Sequence, residues 1–297
     1  MNTIGQKIRF TDFGESHGAA VGGVLDGIPS RLMIDTAAIQ HDLDRRAGRI
    51  GDLIVSERAK NEKDEVEWLS GVLIQESGGR NQDKLITLGS PIAYIIRNTD
   101  ARSEDYEALK DVYREGHADK VYELKYGIRD YRGGGRASAR ETVARVVAGS
   151  IAKQLLAKDG ITIEGRLVQI GDETNPEHFK ALLEQVQQAG ESIGGVVKCR
   201  IKGLPAGIGE PIFDKLQARL AYAVMSINGC RSFSYDSGIV GGISDGKDIV
   251  FRCRFKATAT TAKQYGGRHD VCIAVRAVPV VEAMAVLTVL DVKLLNG

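Results

Sequence analysis

The chain has 297 residues, 43% hydrophobic and 27% charged, the balance of a globular protein able to bury a large core. Its formal net charge is +1, so no overall field marks it as a nucleic-acid or membrane-surface binder. Thirty-five glycines against six prolines point to many tight turns, and no run of about 18 apolar residues suggests a membrane span.

The first residues, MNTIGQKIRFTDFGESHG, lack the apolar core of a signal peptide. Within them His17 stands between Ser16 and Gly18, on a turn ahead of a strand. An imidazole there can exchange a proton near neutral pH, although an ordinary turn histidine fits the spacing equally well. Residues 22–46 read as an apolar strand, a Gly-Ile-Pro turn and a helix with Ile39 and Leu43 one turn apart. Arg45, Arg46 and Arg49 close that helix, either as an anion site or as a solvated helix end facing the dipole. SPIAYIIRN, at 90–98, reads as a strand.

Gly116-His117-Ala118-Asp119 is weak by itself, and a surface histidine satisfied by Asp119 is its bland reading. The run from Arg129 to Glu141, RDYRGGGRASARE, is more telling. Three glycines allow close backbone approach, and the arginines offer forked donors to phosphate or carboxylate. Ser138 and Glu141 have the spacing of a capping box, which predicts a helix over 138–156 with Val143, Val147 and Ile151 on one face. Its N-terminus would add an anion-friendly dipole. Neither a P-loop nor a dinucleotide fingerprint is present.

Residues 159–189 read as a connector holding a helix that starts at Asn175-Pro176. Residues 194–222 then repeat the strand, Gly-Leu-Pro turn and helix of 22–46, with Leu216 and Leu220 one turn apart. The strand at 246–255 matches that at 90–98. Gly267-Arg268-His269-Asp270 and a helix over 280–295 take the places of the glycine-arginine loop and its helix. These correspondences predict an α+β fold: a single body over 1–297 with an internal pseudo-twofold βα repeat. Its halves are about 1–158 and 190–297, linked by 159–189, and helices pack between antiparallel sheets. Corresponding loops of such a body meet at one cleft, where the arginines predict a ligand with several negative charges. Cys199, Cys230, Cys253 and Cys272 lack C-x-x-C spacing, so reduced thiols, no metal site and a cytoplasmic setting are expected.

GESHGAAVGGVLDGIP, the stretch from GHADKVYELKYG through RDYRGGGRASARETVARVVAGSIAK, and GRHDVCIAVRAVPVVEAM together resemble the three signature regions of the chorismate synthase family. RNTDARSEDY, GLPAGIGEPIFDKL and MSING add to the likeness, which runs from residue 2 to about 292. The resemblance implies a lyase that converts 5-enolpyruvylshikimate 3-phosphate to chorismate and phosphate by anti-elimination. It also implies a need for reduced FMN without net redox change. By that likeness His17 protonates the departing phosphate, His117 faces the flavin, and Asp270 works with it in removing the ring proton. Ser16, Arg46, Ser138, Arg140 and Arg268 match substrate contacts, with Arg49 standing in for an arginine replaced here by Ala47. Arg136, Ser138, Asn228, Gly229, Lys256 and Thr260 are the corresponding cofactor contacts. A cytoplasmic homotetramer is implied, and the lack of a dinucleotide fingerprint points to an external flavin reductase rather than intrinsic NADPH oxidation.

The chain also departs from the family. Residues 72–89 are longer than usual, whereas the loops near 237–241 and 261–267, which enclose the flavin in the family, are short. Either residues are missing from this sequence or the site closes differently. The alternative function is therefore an FMN- or polyanion-binding protein of the same fold with impaired catalysis. Binding of nucleic acid through the arginines is disfavoured by the near-neutral charge and the scarcity of aromatics beside them.

Overall fold

The structure, a computed structural model, describes residues 1–75, 84–259, 261, 263 and 270–296. The first half contains β1 (Thr3–Ile4), β2 (Arg9–Phe13), β3 (Ala20–Asp26), β4 (Met33–Ile34), α1 (Thr36–Ala47) and α2 (Glu57–Asn61). It continues through β5 (Glu67–Ser70), β6 (Val72–Gln75), β7 (Lys84–Thr87), β8 (Ile92–Arg97), α3 (Asp119–Tyr126) and α4 (Thr142–Ala157). Then come β9 (Thr162–Ile170), α5 (Phe179–Gln188), β10 (Gly195–Lys202), α6 (Leu216–Met225) and β11 (Cys230–Ser237). β12 (Ile239–Val240), β13 (Ile243–Ser244), β14 (Ile249–Phe255) and α7 (Ile273–Asn296) complete the described chain.

Two antiparallel sheets carry the body. One has the strand order β1-β2-β3-β8-β5 and the other β11-β14-β10-β9. The central pair recurs: β3 lies against β8 with Val24 opposite Ala93, and β10 lies against β14 with Cys199 opposite Phe251. Alternation explains which face each strand buries. Ile92, Tyr94 and Ile96 point inward from β8, as do Ile249, Phe251, Cys253 and Phe255 from β14. The helices fill the space between: α4 packs on β3 and α7 on β9 and β10, while α1 and α6 flank them. At the crossing of α4 and α7, a Cβ on Gly149 would stand 2.3 Å from that of Ala283, so the helices meet there only because position 149 lacks a side chain. Tyr94 secures α4 to its sheet by donating its hydroxyl to the Ala144 carbonyl at 2.7 Å.

Several local expectations are modified. The last helix begins at residue 273, not 280, and carries Pro279 inside it. Burial of every α7 residue from Pro279 to Val292 outweighs the hydrogen bond that proline forfeits. This helix is also long and apolar enough to cross a membrane by composition, contrary to the expectation of no such stretch. However, 83% of its most apolar window is buried inside the protein, as befits a core helix. Ser138 accepts from the Arg140 amide at 3.3 Å and caps a 3-10 turn; Glu141 pairs with Arg145 at 2.8 Å instead of closing a capping box. The connector contributes β9 as an edge strand of the second sheet. In the segment after position 71, β6 pairs with β7 and β7 with β4, all antiparallel. Near residue 240 the chain closes the short connection with β11 running along β14 and a tight β12–β13 turn through Gly241 and Gly242, both at positive φ.

Buried charge ties the elements together. Asp291 on α7 accepts the amides of Gln6, Lys7 and Ile8 at 2.9, 2.7 and 2.9 Å and the Arg219 guanidinium at 2.6 Å. Arg45 forms a two-pronged pair with Glu282, which also accepts the Gly165 amide at 2.7 Å. Arg45 therefore joins α1, α7 and β9.

Candidate active site

A cavity of about 500 Å³ opens between the segments that follow β2, α1, β8, α6 and β14. His17, His117, Ser138, Arg140, Asn228, Gly229, Lys256 and Asp270 all line it, although they span more than 250 residues of sequence. Thr260 and Arg268 lie outside the described residues.

The triple-glycine loop sets both histidines. Gly133 has φ +61°, and a Cβ there would stand 2.2 Å from His17 Cδ2 and 2.4 Å from its Nε2. Gly134 has φ +83°, and a Cβ there would come within 3.0 Å of His117 Cε1 and Nε2. The glycines thus do more than admit a ligand: they let two imidazoles lie against bare backbone on either side of one loop. Arg136 anchors that loop by donating to Asp12 at 2.9 Å and to the Gly14 carbonyl at 3.0 Å. It stands behind the cavity wall, not on it.

His17 is 8% exposed. Its Nδ1 is 3.1 Å from Ser103 Oγ, Arg58 Nη1 is 3.2 Å from its Nε2, and the Tyr106 ring meets it edge-on at 5.0 Å. Ser16 sits beneath it, buried, with its hydroxyl and carbonyl accepting from Arg58 at 2.9 and 2.7 Å. His117 Nδ1 is 2.9 Å from Asp119 Oδ1. Burial alone would raise the Asp119 carboxyl, but hydrogen bonds from His117 and Arg114 outweigh it and hold the group well below the usual carboxylate range. The imidazole Nδ1 thus faces both the ionised Asp119 carboxylate and Arg114 Nη2, the latter at 3.2 Å, and Nε2 lies toward Gly134. A surface histidine was the bland reading; His117 instead faces the cavity.

Asp270 lies across the cavity. It accepts the Ser56 amide at 2.9 Å and Arg276 Nη1 at 2.7 Å. Burial opposes its charge, but Arg276 and the Ser56 amide prevail and its carboxyl titrates below the ordinary range. Arg140 is buried, donating to Asn98 Oδ1 at 2.8 Å, to the Arg97 carbonyl at 3.0 Å and to Asp64. Arg46 is held deeper still, donating to Thr142 Oγ1 at 3.0 Å and the Ala139 carbonyl at 2.7 Å. Burial first, then the neighbouring Arg276, pulls its guanidinium down to about 9 despite Asp64. Arg46 borders a narrow recess beside Asp270 and Arg276, behind the main cavity. Arg49 folds back onto Asp44 and the Glu62 carbonyl and does not reach the cavity wall.

Asp64 is the counter-charge of this cluster. It is 1% exposed, has φ +49°, pairs with Arg140 and lies 3.7 Å from Arg46 and 3.9 Å from Arg49. A non-glycine residue held there stores strain of about 1–3 kcal/mol, which the arginines offset.

Cations missing from the sequence reading complete the wall: Arg58, Arg114, Arg231 and Arg276. Arg58 sits among ordinary polar residues with no glycine context, and Arg114 lies just outside the Gly116–Asp119 segment, so nothing local distinguished either. Arg276 falls within the stretch GRHDVCIAVRAVPVVEAM, where its spacing gives it no distinguishing mark. For an anionic planar cofactor that also carries ring N–H groups, the second-half wall offers one donor and one acceptor with spare capacity. Lys256 donates to the Gly116 carbonyl at 2.8 Å with two more hydrogens to give, and the buried Asn228 Oδ1 has no partner among the described residues. These residues fit such a group.

Comparison with known proteins gives a consistent result. The family model described as chorismate synthase matches residues 8–239 and 234–294. The match breaks in β11, where the short connection lies. Chorismate synthase of Christiangramia forsetii is 40% identical over 359 aligned positions, covering 99% of this chain and 98% of that protein. That of Bacteroides thetaiotaomicron is 41% identical over 364 positions, covering 99% and 98%. Both alignments are longer than this chain, so these relatives carry residues without a counterpart here. A solved structure titled as the crystal structure of chorismate synthase superposes with a TM-score of 0.73 at 28% identity, covering 98% of this chain and 92% of its own.

Proposed function

This chain belongs to the chorismate synthase family, and we propose that its cavity holds 5-enolpyruvylshikimate 3-phosphate against reduced FMN and releases phosphate to leave chorismate. The observation that carries the reading is the meeting of His17, His117 and Asp270 in one arginine-walled cavity. Anti-elimination breaks a C–O bond to phosphate and a ring C–H bond, and forms one new C=C bond. The substrate's phosphate and two carboxylates require cations, and Arg58, Arg140 and Arg276 lie on this wall. His17 supplies the proton that neutralises the departing phosphate, which lowers the cost of breaking the C–O bond. Asp270, held ionised by Arg276, is the group on the side from which the ring proton leaves.

FMN would be held by Asn228, Gly229, Lys256 and Thr260, with His117 beside its ring and Arg136 steadying the loop between. When bound in reduced form it supplies electron density to the electron-poor allylic system. His117, backed by ionised Asp119, favours a negative charge beside Nε2 whenever it carries a second proton. We read the assembly as a cytoplasmic homotetramer with electrons from an external reductase; sedimentation velocity tests the first part of that.

The test is an anaerobic assay of phosphate release with reduced FMN and the enolpyruvyl substrate. Absence of turnover by the folded protein would leave only the reading as a flavin- or polyanion-binding protein. His17→Ala is expected to bind FMN normally and turn over roughly a hundredfold more slowly. Unchanged turnover removes His17 from the mechanism.

A further inference from the structure

Arg58 is more than another cation on the wall. Its guanidinium uses every donor: Nε faces Glu62 at 3.3 Å, Nη2 gives to the Ser16 carbonyl at 2.7 Å and to Glu62 at 3.4 Å, and Nη1 gives to Ser16 Oγ at 2.9 Å and reaches His17 Nε2 at 3.2 Å. Glu62 is fixed in turn by the Thr99 amide and hydroxyl, both at 2.9 Å. A guanidinium can only donate, so the His17 nitrogen facing it must be the one without a hydrogen. The ring hydrogen is then on Nδ1, given to Ser103 Oγ at 3.1 Å. In this arrangement the His17 Nε2 lone pair is capped by a positive charge, which opposes protonation there.

We infer that Arg58 is a positioning residue that gates the protonation of His17: it caps Nε2 while the cavity lacks an anion, and an anion that draws its Nη1 away uncaps Nε2 to take a proton from solvent. Among the described residues, Arg58 from α2, Ser103 and the Tyr106 ring from the 3-10 turn at Ser103–Leu109, and the uncharged Gly133 stand against the imidazole. Glu62 stands behind Arg58, with Arg140 3.8 Å from its other oxygen. A tetrahedral dianion entering here adds negative charge beside the ring while removing the cap, and both changes raise the imidazole's affinity for a proton. Arming the acid only after the phosphate arrives would keep Nε2 capped at other times.

This inference rests on His17 being the acid only for its use in turnover; the linkage can be measured without FMN or substrate. Sulfate is the probe, because it is tetrahedral and does not titrate near neutral pH. Calorimetry at pH 7.5 in buffers of differing ionisation enthalpy reports protons taken up per sulfate bound. The wild-type chain is expected to take up about half to one proton, the range open to a histidine moved across that pH. His17→Gln should bind sulfate with uptake near zero. Arg58→Lys, which keeps the charge but cannot fork to Ser16 and His17 together, should lower uptake to less than half of wild type. Circular dichroism shows whether each variant is folded, and the wild-type measurement alone can overturn the inference. No sulfate binding, no uptake, or uptake that survives His17→Gln each refutes it. Uptake as expected together with normal turnover of His17→Ala would instead sink the acid role and leave the gate standing.

Discussion

Replacing Gly133 by alanine tests whether the glycine loop places the general acid. The new Cβ would lie 2.2 Å from His17 Cδ2, 2.4 Å from Nε2 and 3.1 Å from Ser16 Oγ. Ordinary carbon contacts are about 3.5–4.0 Å, so the imidazole has to retreat by more than an ångström. A misplacement of that size costs about a hundredfold in rate. Separately, a non-glycine residue at φ +61° costs about 1–2 kcal/mol of stability. Gly160→Ala separates the two effects, since position 160 has φ +71° and nothing within 4 Å of an added Cβ. Both variants should therefore lose similar stability in urea titrations. Only Gly133→Ala should lose turnover in the anaerobic phosphate-release assay, by about two orders of magnitude. Equal turnover in the two variants would refute the claim that the loop positions His17.

Asp291→Ala strands three amides and Arg219, and is expected to destabilise the fold by about 3–5 kcal/mol in chemical denaturation; a loss below about 1 kcal/mol would mean the N-terminal turn is held by other contacts. Glu141 is buried beside Asp12, and burial pushes its carboxyl up, so the folded state holds a proton that the unfolded chain releases. That contribution is present at low pH and is lost as pH rises from about 4.5, the ordinary glutamate value, through the raised folded value. Glu141→Gln should flatten the decline in stability toward alkaline pH, and an unchanged slope contradicts the assignment. Lys256→Met should weaken FMN binding several-fold in a fluorescence titration while leaving the melting temperature of the ligand-free protein nearly unchanged, since among the described residues Lys256 lends one hydrogen bond, to the Gly116 carbonyl.

Local pattern determined a good deal. Alternating inward residues at 92–96 and 249–255, and leucines a turn apart at 216 and 220, mark strands and helices because burial selects side chains with the period of the backbone. The long signature segments identified the family, and His17, His117 and Asp270 were legible as chemistry-bearing residues within them. Tertiary structure decided the rest, because it depends on contacts between residues far apart in the chain. Only there does Pro279 lie inside a helix, since packing against β9, β10 and the neighbouring helices exceeds what one hydrogen bond contributes. Arg45, Arg46 and Arg49 look alike in sequence, yet one braces the core through Glu282, one lies buried beside the cavity and one folds back on its own helix. Arg58, unremarkable in sequence, stands on the general acid. Charge is written in the sequence; its partner, and so its protonation state and use, is set by the fold.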